Sequence, residues 1–124
     1  MSIPALLNVA LLSARKGAAE IEFAVKKVHT LDVKKKGPAD YTTAIDKRVE
    51  KLVLEEIKRF YPDDNFLGEE TGEQLGSSNI TWVLDPIDGT SNFMHGYPHF
   101  CISLSCLVDG LSLIHISEPT RHSI

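Results

Sequence analysis

Trp82-Val83-Leu84-Asp85-Pro86-Ile87-Asp88-Gly89-Thr90-Ser91-Asn92-Phe93 is the stretch whose reading decides the fold. Thr81 to Leu84 is a strongly apolar run with a β-branched and an aromatic residue, and it predicts a buried strand. That strand ends on Asp85, and a second carboxylate follows at Asp88. Pro86 restricts the backbone between them and Gly89 releases it, so the strand delivers both acids into a tight turn. No basic residue separates them. Their charges repel, so either a cation offsets the repulsion or one acid stays protonated. Hard divalent cations take oxygen ligands, and Mg2+ binds a few carboxylates together with waters and substrate phosphate. Thr90 adds a hydroxyl. A helical turn from Thr90 through Phe93 would offer its free N–H groups to an anion. Taken singly, Asp88 before a glycine is an ordinary turn residue; the combination is what carries information.

Working outward, Asn65-Phe66-Leu67-Gly68 predicts a short strand running into Glu69-Glu70, so more acids stand at a strand end. Acids for a metal, an anion site and a hydroxyl together describe hydrolysis of a phosphoryl group. Gly72 to Asn79 reads as loop, and Phe100 to Val108 as a further strand. Two helices precede these strands. From Ala5 to Val28, Leu6, Ala10, Ala14, Ala18, Ile21, Val25 and Val28 recur at helical spacing. A second helix is expected from near Thr43, with Thr43 and Asp46 spaced like a capping box and Pro62 as its stop. Its apolar stripe is Ile45, Val49, Leu52, Val53, Ile57 and Phe60. Gly37-Pro38 reads as a turn between the helices. Helices first and strands afterwards predict an α+β fold, two N-terminal helices packed on a mostly antiparallel sheet.

The bulk properties narrow the functional classes. A length of 124 residues suffices for one small domain. Hydrophobic residues at 43% and charged residues at 24% are the composition of a globular protein. A net charge of -4 argues against a direct nucleic-acid partner, because nothing supplies a counter-ion patch. Lys34-Lys35-Lys36 is too short for a nucleic-acid arm, although a substrate phosphate could use one of its lysines. No apolar run approaches the ~20 residues of a membrane span. Ile3 to Leu12 lacks the basic flank and cleavage pattern of a signal peptide. Cys101 and Cys106 face opposite sides of an extended segment, which leaves them unpaired and suits a reducing compartment. A cytoplasmic location is expected.

Gly68-Glu69-Glu70 followed by the Trp82–Phe93 stretch resembles the first signature of the inositol monophosphatase family. Lys36-Gly37, Asp40, Thr43 and Asp46 resemble that family's substrate-loop and second-helix elements. The resemblance runs from about Leu6 to Gly110. Haloacid-dehalogenase-type phosphatases also carry an Asp-Gly-Thr, but with one residue between their aspartates where this chain has two. The resemblance implies part of a layered α/β sugar-phosphatase fold. It implies that Glu69, Asp85 and the carbonyl of Ile87 hold one Mg2+, and that Asp85 and Asp88 hold a second. Thr90, supported by Asp46 and with Glu69 nearby, would orient the attacking water. Gly89 and Thr90 would receive the phosphate, with Asp88 and Lys36 at the substrate. Glu70 is read as a structural acid, and the five histidines as bystanders. The implied partner is a small phosphorylated polyol, inositol monophosphate first. The bisubstituted relatives 3′-phosphoadenosine 5′-phosphate and fructose 1,6-bisphosphate, and NADP, stay open. A homodimer is expected, with no nucleic acid gripped directly and no membrane. Some bacterial members of the family serve as regulatory partners in ribosomal RNA transcription, which is the alternative role.

Members of that family are about twice this length, and their later half supplies a further metal-binding aspartate. Leu111 to Arg121 does not resemble the family. It is similar to the translation of a transposase-type sequencing adaptor. The expected division is therefore 1–110 as the N-terminal part of a family domain and 111–124 as a non-native tail. With about three strands before that tail, the sheet is expected to be unfinished, and the chain inactive and poorly folded alone. Leu113, Ile114 and Ile116 could still pair as an edge strand, which Pro119 would end.

Overall fold

The computed structural model describes residues 2–28, 38–88 and 100–120, with side chains for 2–24, 44–85 and 102–117. Two helices come first, α1 (Ile3–Val28) and α2 (Pro38–Phe60). Five strands follow: β1 (Asn65–Gly68), β2 (Gly72–Gln74), β3 (Ile80–Asp88), β4 (Phe100–Val108) and β5 (Leu111–Thr120). They form one sheet in the order β2-β1-β3-β4-β5. Three of its pairings are antiparallel and one, β1 with β3, is parallel. The α+β class, the two leading helices and the mostly antiparallel sheet are all as the sequence predicts.

Both helices lie against one face of the sheet. α1 packs on α2, β4 and β5, and α2 packs on β3. The core is continuous: Leu6, Ala10, Ile21, Val49, Val53, Ile57, Phe66, Trp82, Leu84, Ile102 and Leu104 belong to a single cluster. Strand alternation supplies its sheet side, since Trp82, Leu84, Ile102, Leu104 and Cys106 are buried while Thr81, Val83, Ser103 and Ser105 are only half-buried. Trp82 is fully buried, and its indole N–H donates to the Asp64 carboxylate at 2.8 Å. Ser78 Oγ donates to the same carboxylate at 2.8 Å. Tyr61 stacks on Trp82 with ring centroids 6.3 Å apart.

Several expectations are corrected. α2 begins at Pro38, not near Thr43. Proline belongs in a first helical turn, where its missing N–H costs nothing, so the residue that read as a turn starts the helix. Thr43 and Asp46 are therefore inside the helix and cannot cap it. Phe60, assigned to the buried stripe, is 45% exposed, with the Arg59 guanidinium 5.6 Å from its ring centroid. Gly72–Gln74, read as loop, is the edge strand β2. Four strands, not three, thus precede Leu111. Leu111–Thr120 pairs along β4 as the other edge strand, and Pro119 lies within it, opposite Cys101. An edge strand accommodates proline because one side of its backbone needs no partner. The β4–β5 turn is Asp109-Gly110, both at positive φ (52° and 81°), the conformation of a two-residue hairpin that an Asp-Gly pair suits.

Candidate metal and phosphate site

The site begins with the parallel pairing of β1 and β3. Phe66 stands opposite Trp82, and Gly68 opposite Leu84. The next residue after each is an acid, Glu69 just past the end of β1 and Asp85 still within β3. A parallel register sends both strands out at the same end of the sheet, so the two exposed carboxylate residues emerge side by side. An antiparallel pairing would have sent them to opposite ends. β2 makes this possible without a helical crossover: it returns on the outer side of β1, and the chain then enters β3 on the inner side.

Beyond Asp85 the pairing with β4 is irregular. Asp85 stands opposite Ser103 and Asp88 opposite Cys101, so β3 carries one extra residue across Pro86 and Ile87. Such a bulge re-aims the strand, and Pro86 has no N–H to give to a regular ladder. The bulge places the Ile87 carbonyl and the Asp88 backbone in an interrupted part of the sheet. Asp88's side chain, Gly89, Thr90 and Lys36 lie outside the described side chains and residues.

Asp46 approaches from α2. Its Oδ1 is buried without a hydrogen-bond partner. Its pKa is raised from 3.8 to about 7, by burial first and then by the negative charges of Glu70, Glu69, Glu50 and Asp85 in that order. The helix therefore brings Asp46 into the field of the strand-end acids. A buried, partnerless oxygen facing several carboxylates needs a proton or a cation.

Glu50 is the residue that sequence reasoning missed. It lies one turn beyond Asp46 on α2 and is fully buried. Its carboxylate accepts the backbone N–H of Glu70 (3.0 and 3.1 Å to the two oxygens) and of Thr71 (2.7 Å), as well as the Thr71 hydroxyl. The available signal was an acid between Val49 and Val53 on a helix whose apolar stripe they define. Glu70 is half-buried beside this clamp, and after burial its charge is the largest influence on Asp46.

Among the described residues, no group of three or more His, Cys, Asp or Glu side chains converges tightly enough to hold a metal ion by itself. The donors nonetheless fit a hard divalent cation. They are all oxygens, they are mutually repulsive, and one of them has no other partner. No described helix is long and apolar enough to cross a membrane.

The model of the inositol monophosphatase family matches residues 4–116, running past Gly110. The Nus factor SuhB of Xylella fastidiosa is 41% identical over 120 residues, covering 97% of this chain and 40% of that protein. The inositol-1-monophosphatase of Rhizobium meliloti is 41% identical over 106 residues, covering 85% of this chain and 40% of that protein. Among solved structures, the extragenic suppressor protein suhB from Bartonella henselae superposes with a TM-score of 0.78 at 34% identity, covering 91% of this chain and 43% of that one. The inositol monophosphatase from Anabaena gives 0.74 at 30% identity, covering 94% and 40%. The chain spans less than half the length of each of these relatives. With the family model matched over most of its length and the fold shared with those structures, the chain belongs to the inositol monophosphatase family.

Proposed function

We propose that the whole protein is a Mg2+-dependent phosphomonoesterase acting on a small phosphorylated polyol, inositol monophosphate first. The observation that carries this reading is the parallel register that sets Glu69 beside Asp85, within reach of a partnerless Asp46. Glu69, Asp85, the Ile87 carbonyl and Asp88 would hold the metal. When bound, Mg2+ supplies charge neutralisation at the phosphate oxygens and lowers the pKa of water. Asp46 and Thr90 orient the attacking water, with Asp46 accepting a hydrogen bond through the oxygen that has no other partner. The Gly89 and Thr90 amides receive the phosphate, and Lys36 gives it a countercharge. A cytoplasmic location and a homodimeric assembly belong to the same reading. The test is phosphate release from inositol 1-phosphate by the full-length protein, with Mg2+ and after chelation. Turnover that survives complete chelation overturns it.

A second reading is favoured by the names of relatives such as the Nus factor SuhB of Xylella fastidiosa. In it the protein binds transcription factors through protein contacts and does not need its acids. An Asp85→Asn full-length protein should then retain purified transcription factors in pull-down while losing phosphatase activity. Loss of both together would tie the partner contact to the acidic site.

A further inference from the structure

Glu69 is exposed at the end of a strand, where the last regular sheet pairing is Gly68 opposite Leu84. A carboxylate there has no reason to hold one position unless its neighbours are fixed. Both neighbours are fixed by the same side chain. On one side, the Glu70 N–H donates to both Glu50 oxygens. On the other, Gly68 lies so close that a Cβ on it would meet Glu50 Oε2 at 2.8 Å and Cδ at 2.9 Å. Only glycine lets the carboxylate seat against the strand. Thr71 adds its amide and hydroxyl to the same acceptor.

The cost of this arrangement is informative. A fully buried carboxylate is unfavourable unless hydrogen-bonded, and this one stands where three other acids already act on Asp46. If closing the β1–β2 turn were its whole role, a neutral acceptor would do it without adding to that repulsion. The backbone donors it gathers belong to the two residues directly after Glu69. We propose that Glu50 is a positioning residue of the site, whose carboxylate holds the Gly68–Thr71 segment so that Glu69 presents its own carboxylate to a divalent cation. This rests on the reading of Glu69 as a metal ligand.

The test uses the full-length protein and Mn2+, detected by electron paramagnetic resonance of the free ion. Glu69→Gln should abolish site-specific binding. Glu50→Gln keeps the shape but in either orientation turns a donor toward the Glu70 amide, and should weaken Mn2+ binding roughly tenfold or more, the effect usual for groups that orient a ligand. Gly68→Ala leaves every carboxylate in the chain and should weaken binding in the same way by unseating Glu50. Thr71→Val removes only the hydroxyl and should cost less, and it serves as the readout should the other two variants fail to fold. Wild-type affinity in Glu50→Gln, or in Thr71→Val where that variant must decide, overturns the positioning role alone. Absence of Mn2+ binding by the wild-type full-length protein overturns the metal reading and the positioning role with it.

Discussion

Asp46 and Glu50 occupy successive turns of one helix and meet different fates. Glu50 is buried and saturated with donors; Asp46 keeps an oxygen with none. That difference makes a pH dependence. Asp46 binds its proton with a pKa of about 7 in the folded chain and 3.8 when unfolded. Between those values the folded state holds more protons, so this contribution to stability is complete below pH 3.8 and is lost as pH rises through about 7. Without metal, the urea midpoint should therefore rise as pH falls from 8 toward 5. Asp46→Asn should flatten that rise; an unchanged slope in the variant would place its origin elsewhere. Trp82 makes a second prediction at this scale. Trp82→Phe keeps most of the apolar volume but removes the indole donor to Asp64, leaving that buried acid with Ser78. The expected cost is about 1–3 kcal/mol in urea denaturation followed by circular dichroism. The candidate acids Asp85, Asp88 and Glu69 advertise themselves in the sequence, since each stands at a strand end. Glu50 did not, because an acid within a helix reads as a solvated face unless the partner that buries it is known.

Elements were legible where periodicity is strong and opaque where one residue has two meanings. The α1 stripe and the β4 boundaries follow from spacing alone. Pro38 is punctuation in a turn and a favoured first residue in a helix, and its sequence surroundings do not choose between them. β2 is three polar residues, and only its pairing with β1 makes it a strand. The junction of three elements offers a sharper test. Gly17 on α1 lies where a Cβ would be 2.8 Å from Ile102 Cδ1 on β4 and 3.0 Å from Val53 Cγ2 on α2. Alanine gains up to ~1 kcal/mol over glycine within a helix. Overpacking a core costs about 1–3 kcal/mol. Ile102 and Val53 are both fully buried and have little room to yield, so the overpacking term should win. Gly17→Ala is expected to destabilise by about 1 kcal/mol in chemical denaturation. A stabilised variant would show that the junction has slack.

At the scale of the whole molecule, the described residues form a sheet of five paired strands and a core that runs through both helices. The expectation of poor folding rested on an unfinished sheet, an uncovered apolar face and acids short of one metal ligand; β2 adds one strand to that count. We propose that residues 111–124 are a non-native extension and that the 124-residue chain is catalytically inactive. Sequencing the source locus past Gly110 tests the first, and inositol 1-phosphate hydrolysis by the short chain in Mg2+ would overturn the second. Whatever its origin, β5 covers one edge of β4. Deleting 111–124 should expose that edge and promote association, seen as a rise in light scattering. The packing of α1 on β4 and β5 has one more consequence, which concerns time. On the ribosome α1 is made long before the strands it covers, a delay on the order of several seconds at ~5–20 residues per second. Through that interval Leu6, Ala10 and Ile21 have only α2 for company. The nascent chain is then a helical pair with an unclaimed oily side, a natural client for a chaperone, until the last strands emerge and claim it.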